Sequence, residues 1–378
     1  MFIPYYAHCR NQICNFYETN KKIPFSKIVN PKTIDYVFDN VNLEHINMFK
    51  NIIAYGEKQY VKRDIIKKTS IKNIVKYNKS FDNEFTKWNK QMDKYKIKLE
   101  KKKYLQVFLG CMIYSTKEID TDAYNKCKVF SSTYMIDDIL DSKNCTNHEK
   151  KQIYDKINTF LTNGSFNNND DYNIANQIIG SFQKLYPFVL NRAVYEVFLH
   201  FNNAQYLENK FAKSTLTIDK ISEENEIEWY TLISLKSLYS RLAAYFVLNK
   251  TDDIGSNLIK VCPLIQLRDD MSDVEEDIIN NSVTPFTLNY HTTIKLKQTP
   301  LDILEKQLYS LIETLNDEDC IIALYLKIYE SIYLMKNHNA YKYFDQNNVD
   351  YLMKRYAEFS QYDLKLRNLL IKKYFKKG

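Results

Sequence analysis

Two runs of aspartate have the residue types and spacing of a chemical site. The first is Asp137-Asp138-Ile139-Leu140-Asp141. The second is Asp269-Asp270-Met271-Ser272-Asp273, which continues through Val274, Glu275 and Glu276 to Asp277. On a helix, residues three and four apart share a face. Cys127, Phe130 and Tyr134 lead in that register into Asp137, Asp138 and Asp141, and Leu258, Cys262 and Ile265 lead into Asp269, Asp273 and Asp277. A surface helix sets its acids opposite its apolar stripe. Here the acids prolong the stripe, as they do at the mouth of an inward-facing cavity. Carboxylates on adjacent turns repel one another. Mg²⁺ relieves that repulsion, because it takes one or two carboxylates and completes its shell with water and phosphate oxygens. Two such helices suit a diphosphate held through Mg²⁺, with the metal charge stabilising a departing phosphate group. A lone DDxxD on a solvated acidic face is commonplace, whereas a pair that each extends an apolar stripe is far more specific.

The elements that position these acids are helices. The chain has 378 residues, 45% of them hydrophobic, and only 6 Gly and 7 Pro, too few for a fold rich in strands and turns. No segment alternates with period two, and no repeat of 20–50 residues is visible. The stripe Phe81, Phe85, Trp88, Met92, Tyr95, Leu99 predicts a long helix over 78–103. A more apolar helix follows from Tyr104, then helices over 122–143, 174–186, 188–210, 226–249, 257–280, 301–315, 319–336 and 347–375. Pro263 is expected to kink the 257–280 helix or to mark its first turn. Residues 163–173 read as a polar loop, and the prolines at 4, 24 and 31 break residues 1–75 into short elements. With no Gly/Ser-rich or Pro-rich linker, the expectation is one continuous domain, 101–378, preceded by an N-terminal helical extension, 1–100.

A net charge of +7, with acids interleaved among the bases, describes a solvated surface and argues against a nucleic-acid groove. The seven cysteines are irregularly spaced and include no CxxC pair, which suggests free thiols in a reducing, cytoplasmic setting. No signal peptide and no 18-residue apolar run are apparent, so no stable membrane insertion is expected.

On these two motifs the chain resembles the class I isoprenoid synthase superfamily, which comprises the trans-isoprenyl diphosphate synthases and class I terpene synthases. The resemblance covers residues 104–290, and 132 residues separate Asp137 from Asp269. Ala204-Gln205-Tyr206-Leu207-Glu208 is similar to the Gly-Gln-x-x-Asp helix of the isoprenyl diphosphate synthase branch, and Lys236-Ser237 to its Lys-Thr pair. The resemblance implies a single large antiparallel helical bundle around a deep apolar cavity. It also implies catalytic acids Asp137, Asp138, Asp141, Asp269 and Asp273. The metal ligands would be Asp137, Asp141, Asp269, Asp273 and Asp277, holding three Mg²⁺ ions, with Mn²⁺ as a substitute. Lys236 and Gln205 are the implied diphosphate ligands, and Lys236, Arg241 and Arg268 are the nearest basic candidates, with Lys236 favoured and Arg241 behind it; Arg268, next to Asp269, is expected to serve either the diphosphate or a structural ion pair. Arg355-Tyr356 resembles the Arg-Tyr pair that closes over diphosphate in microbial terpene synthases.

The departures select among activities. The Gly-Lys-Arg segment that helps chain-elongating synthases hold isopentenyl diphosphate has no counterpart here. Ser142-Lys143-Asn144-Cys145-Thr146 stands where they carry Arg-Arg-Gly, and Asn280-Asn281-Ser282 replaces a basic residue after the second motif. The allylic site is kept and the second-substrate site is not. The expected activity is therefore that of a terpene synthase, a carbon–oxygen lyase of isoprenoid biosynthesis. It would ionise geranyl, farnesyl or geranylgeranyl diphosphate and cyclise or deprotonate the cation. The alternatives are a prenyltransferase, chain-elongating or of the squalene/phytoene type to which Val-Glu-Glu-Asp at 274–277 is similar, and a non-catalytic regulatory subunit. Phe108, Phe130, Tyr134, Phe201 and Tyr239 are candidate aromatic neighbours of a cation, though aromatics at helical spacing are usually core. Homodimers are common in the superfamily, an analogy that leaves the oligomeric state of this chain open.

Overall fold

The computed structural model describes residues 3–19, 27–41, 45, 81–99, 121–165, 174–185, 188–247, 256–314, 318–335 and 345–375. Every regular element among them is helical, as the scarcity of Gly and Pro predicts. The chain divides into two units. The first comprises 1–4, 64–210 and 238–254, and the second comprises 5–63, 211–237 and 255–378.

In the first unit, the Ile174–Leu185 helix packs on Thr121–Asp141 and on Asn147–Asn163. Phe182 also packs edge-on against Phe198 of the Arg192–Thr215 helix, with ring centroids 4.6 Å apart. The Asn147–Asn163 helix falls in a stretch to which the sequence reading assigned no element. Its start is nevertheless written locally. The Thr146 hydroxyl accepts from the Glu149 amide, and the Glu149 carboxylate accepts from the Thr146 amide, which makes a capping box. Ile153, Ile157, Phe160 and Leu161 supply its buried stripe, and Gly164, at φ 70°, ends it. A Cβ at Gly164 would meet the Phe188 ring at 2.3 Å, so the position is closed to side chains by backbone conformation and by space.

The 78–103 stripe is buried throughout, yet the helix that carries it stops early. It covers 81–92 and tightens into a 3₁₀ turn at Asp93–Tyr95. Lys96 then turns left-handed at φ 54°, with its amide on Asp93 O and the Ile97 amide on Met92 O, a closure that uses up the last free carbonyls. Leu99 is therefore buried from irregular chain, held through its amide by Asn89 Oδ1 at 3.0 Å. Residues 100–120, including Phe108 and the start of the helix expected from Tyr104, lie outside the described residues.

In the second unit, the Ser256–Ser272 helix packs on Pro300–Thr314 and Glu318–Leu334. The Gln346–Phe375 helix packs on Glu318–Leu334 and on Pro31–Asn40. Pro31 occupies the first turn of its helix, where a missing N–H costs nothing, and Asn30 caps it by accepting from the Thr33 amide. Phe38 sits among Tyr329, Tyr356 and Phe359, with centroids 5.5–6.2 Å away. Pro263 lies inside the Ser256–Ser272 helix and not at its first turn. The expected 257–280 helix is two: it breaks after Ser272 and resumes as Val274–Asn280. No described helix is long and apolar enough to cross a membrane.

The capping box fixes where the chain turns immediately after the first acidic cluster. Thr146→Ala is expected to lower unfolding stability by about 1 kcal/mol, read as a shift in urea midpoint with an unchanged slope. A change below a few tenths would show that water replaces the cap.

Candidate functional site

The first cluster lies in the last turn of the Thr121–Asp141 helix. Upstream on that helix Phe130, Met135 and Ile136 are buried, while Asp137, Asp138 and Asp141 are half-buried. On the stripe itself Phe130 is buried and Tyr134 is already half-buried, so exposure begins one turn before the acids. A helix C-terminus is itself electronegative, so acids placed there add to the strain of their mutual repulsion. Lys150 answers part of it. Its buried ammonium donates to Leu140 O at 2.5 Å from the next helix. Asn209 donates to Asp141 Oδ1 at 3.2 Å. The sequence reading did not single out Asn209, although it stands four residues after Gln205 and so shares its helical face.

Gln205 is buried, and its Oε1 has no hydrogen-bond partner. Arg241 is half-buried, with Nε unpaired. Nearby in the same helix as Gln205, Asn202 and Asn203 belong to a buried amide network. Asn203 Oδ1 accepts from Tyr154 and Asn158, each at 2.7 Å, and Asn202 donates to Asn158 at 2.6 Å. Tyr206 stacks on Tyr154 with centroids 3.9 Å apart. Of the candidate aromatics, Phe130 meets Tyr134 edge-on at 5.5 Å, Phe201 is core, and the Tyr239 hydroxyl is bound to Pro4 O at 2.5 Å. The Tyr134 hydroxyl lies 3.4 Å from Ser240 Oγ.

The second cluster straddles the helix break. Cys262 and Ile265 are buried, Asp269 and Asp273 are exposed, and Asp277 is half-buried, so this stripe surfaces as it turns acidic. The break does not scatter the acids. The Asp273 amide bonds to Asp269 O at 3.0 Å and the Asp277 amide to Asp273 O at 2.8 Å, which carries the helical register through the junction. Gln266 donates to Asp270 Oδ1 at 2.9 Å. Lys236, in the second unit, is half-buried.

Arg268 connects the second cluster to a buried charge group. Its side chain is 11% exposed, bonds Asp269 Oδ1 at 2.5 Å and reaches Ser331 Oγ at 3.4 Å. On the Ser331 helix, Lys327 pairs with Glu330 at 3.0 Å. Burial pushes the Lys327 ammonium down and Arg268 adds to the effect, while Glu330 partly restores it. Arg355 is held by Asp35 at 3.3 Å and Asp39 at 2.5 Å, and Tyr356 is buried against Phe38 and Tyr333. This pair ties the Gln346–Phe375 helix to Pro31–Asn40.

Among the described residues no group of three or more His, Cys, Asp or Glu side chains is gathered so as to hold a metal by protein ligands alone. The donors that are present are hard carboxylate oxygens, half-buried or exposed, a set that suits Mg²⁺ when water and phosphate complete its shell. Compared with known proteins, the chain matches no family model, no curated protein and no solved structure.

Two opposing effects set the result of removing Arg268. Its bond to a carboxylate that is 52% exposed contributes little, and its like charge burdens Lys327. Arg268→Met should therefore change stability by no more than about 1 kcal/mol, measured by chemical denaturation. A loss several times larger would make the guanidinium a structural tie instead of a group that orients Asp269.

Proposed function

We propose that the chain is a Mg²⁺-dependent class I isoprenoid synthase of the terpene synthase type. It would ionise one allylic isoprenyl diphosphate and cyclise or deprotonate the resulting cation. The observation that carries this reading is that each aspartate cluster follows on a helix face buried further upstream, at Phe130 for the half-buried Asp137, Asp138 and Asp141, and at Cys262 and Ile265 for the exposed Asp269 and Asp273 and the half-buried Asp277. Asp137, Asp138, Asp141, Asp269 and Asp270 stand in the last turn of their helices, where the dipole disfavours an acid and a cation would relieve it.

Mg²⁺ held by Asp137, Asp141, Asp269, Asp273 and Asp277 supplies, when bound, the charge that stabilises the departing diphosphate. Asn209 orients the Asp141 carboxylate, and Arg268 orients that of Asp269. Lys236 and Arg241 add positive charge for the diphosphate, and the unpaired Gln205 Oε1 is a polar group free to accept a donor. Arg355 is neutralised by Asp35 and Asp39, so this reading leaves Arg355-Tyr356 a structural role. The single bundle around a deep apolar cavity belongs to the same proposal. There the prenyl chain is folded away from water, so the cation is quenched by its own double bonds or by loss of a proton.

The test is a product assay with geranyl, farnesyl and geranylgeranyl diphosphate, each with and without isopentenyl diphosphate. A hydrocarbon or alcohol should form from one allylic diphosphate alone, and Asp137→Ala or Asp269→Ala should lower kcat by about a thousandfold without lowering the melting temperature. A longer diphosphate formed only with isopentenyl diphosphate would replace the proposal with a prenyltransferase. No turnover, together with no rise in melting temperature on adding Mg²⁺ and pyrophosphate, would replace it with a silent subunit.

A further inference from the structure

Two acidic side chains are fully buried among the described residues, Glu226 and Glu305, and they are provided for in opposite ways. The Glu226 carboxylate accepts from the Tyr17 hydroxyl at 2.8 Å and from the Lys297 and Gln298 amides at 2.6 and 3.3 Å. It is a satisfied structural group. Glu305 is 6% exposed, and its buried Oε1 has no partner. An orphan carboxylate oxygen at that depth is a standing cost to the fold.

Glu305 lies in a cleft of about 510 Å³ in the second unit, between the Tyr6–Glu18 and Pro300–Thr314 helices. No residue of either aspartate cluster lines this cleft. Asn11, Asn15 and Thr19 line it from the first helix and the residue following it, and Tyr309, Ser310 and Glu313 from the second. The Phe16 ring adds an apolar surface. Two bases, His8 and Lys306, also line the cleft, and the Lys306 ammonium bonds Phe16 O and Gln298 Oε1 rather than Glu305 Oε1. Burial, reinforced by Asp302 and opposed by Lys306 and Lys27, pushes the Glu305 carboxyl up to about 7, and a cation seated beside it would favour the ionised form, its proton passing to solvent.

We propose that this cleft is a binding site for a linear organic polyamine, with one ammonium on Glu305 and the other end toward Glu313. Glu305 and Glu313 stand eight residues apart on one helix, a rise of about 12 Å, which an extended triamine spans. The amide and hydroxyl walls accept the remaining N–H groups, and methylenes pack on Phe16 and Tyr309. A divalent metal is a poorer fit, because no second carboxylate joins Glu305 at the depth of the cleft. The site is separate from the proposed synthase chemistry, and its readout is binding, so either can fail without the other.

Calorimetry with spermidine on the full chain, at ionic strength matched with NaCl, tests it. Saturable one-to-one binding is expected. Glu305→Gln should weaken it by about tenfold or more, because it removes one member of a buried charge pair. Asn15→Trp, at an exposed position on the opposite wall, should block the cleft and weaken binding similarly without disturbing the core. Absence of saturable binding by the wild-type chain, or equal affinity in both folded variants, would overturn the proposal.

Discussion

A helix that is buried along most of its length must carry something at the end where it surfaces, and in this chain what it carries is negative charge in the least favourable place. The Thr121–Asp141 and Ser256–Ser272 helices both end in aspartates, where the helix dipole already leaves the carbonyls electronegative. Asp137, Asp138, Asp141, Asp269 and Asp270 each cost a fraction of a kcal/mol from the dipole and repel one another, whereas Asp273 and Asp277 stand at the N-cap and in the first turn of Val274–Asn280, where the dipole favours an acid. The local structure around each end follows from this. At the first, Lys150 is drawn into the interior to bind Leu140 O, and Asn209 donates to Asp141. At the second, the helix breaks after Ser272, Arg268 binds Asp269, and Gln266 binds Asp270.

The two ends are supported differently, and the difference is chemical. At the first, a neutral amide, Asn209, contacts the Asp141 carboxylate, and a cation, Lys150, binds the Leu140 carbonyl. Neutral donors orient a carboxylate without cancelling its charge. Around the second, the support is ionic, with Arg268 and Lys327 buried side by side against Asp269 and Glu330. Buried charge of this kind is costly to assemble, and the downward push on Lys327 reflects that cost. Arg268 therefore reads as a group placed to aim Asp269, not as one that adds stability.

The second unit also separates carboxylates that are finished from one that is not. Glu226 has three donors, and Arg355 joins Asp35 and Asp39 in a partly exposed ion group that fastens two helices. Glu305, equally deep, has an oxygen with no donor and opens on a polar cleft. In a protein interior where polar groups are generally paired, that asymmetry distinguishes a binding group from a structural one.

The sequence by itself determined the helical class, because six glycines and seven prolines cannot punctuate a sheet protein of this length. It also placed both acidic runs on helices, because residues three and four apart share a helical face. It carried the Asn147–Asn163 helix as well, in the Thr146–Glu149 capping box and the Ile153, Ile157, Phe160 spacing, although the reading passed over both. Tertiary structure decided what periodicity does not encode. The 81–92 helix stops because Lys96 turns left-handed, even though its apolar spacing runs on to Leu99. Arg355 faces Asp35 and Asp39 from more than 300 residues away, and Glu305 is left without a donor by the packing of two helices distant in sequence. Such pairings depend on which surfaces meet, and the spacing of residues along one helix holds no record of its neighbours.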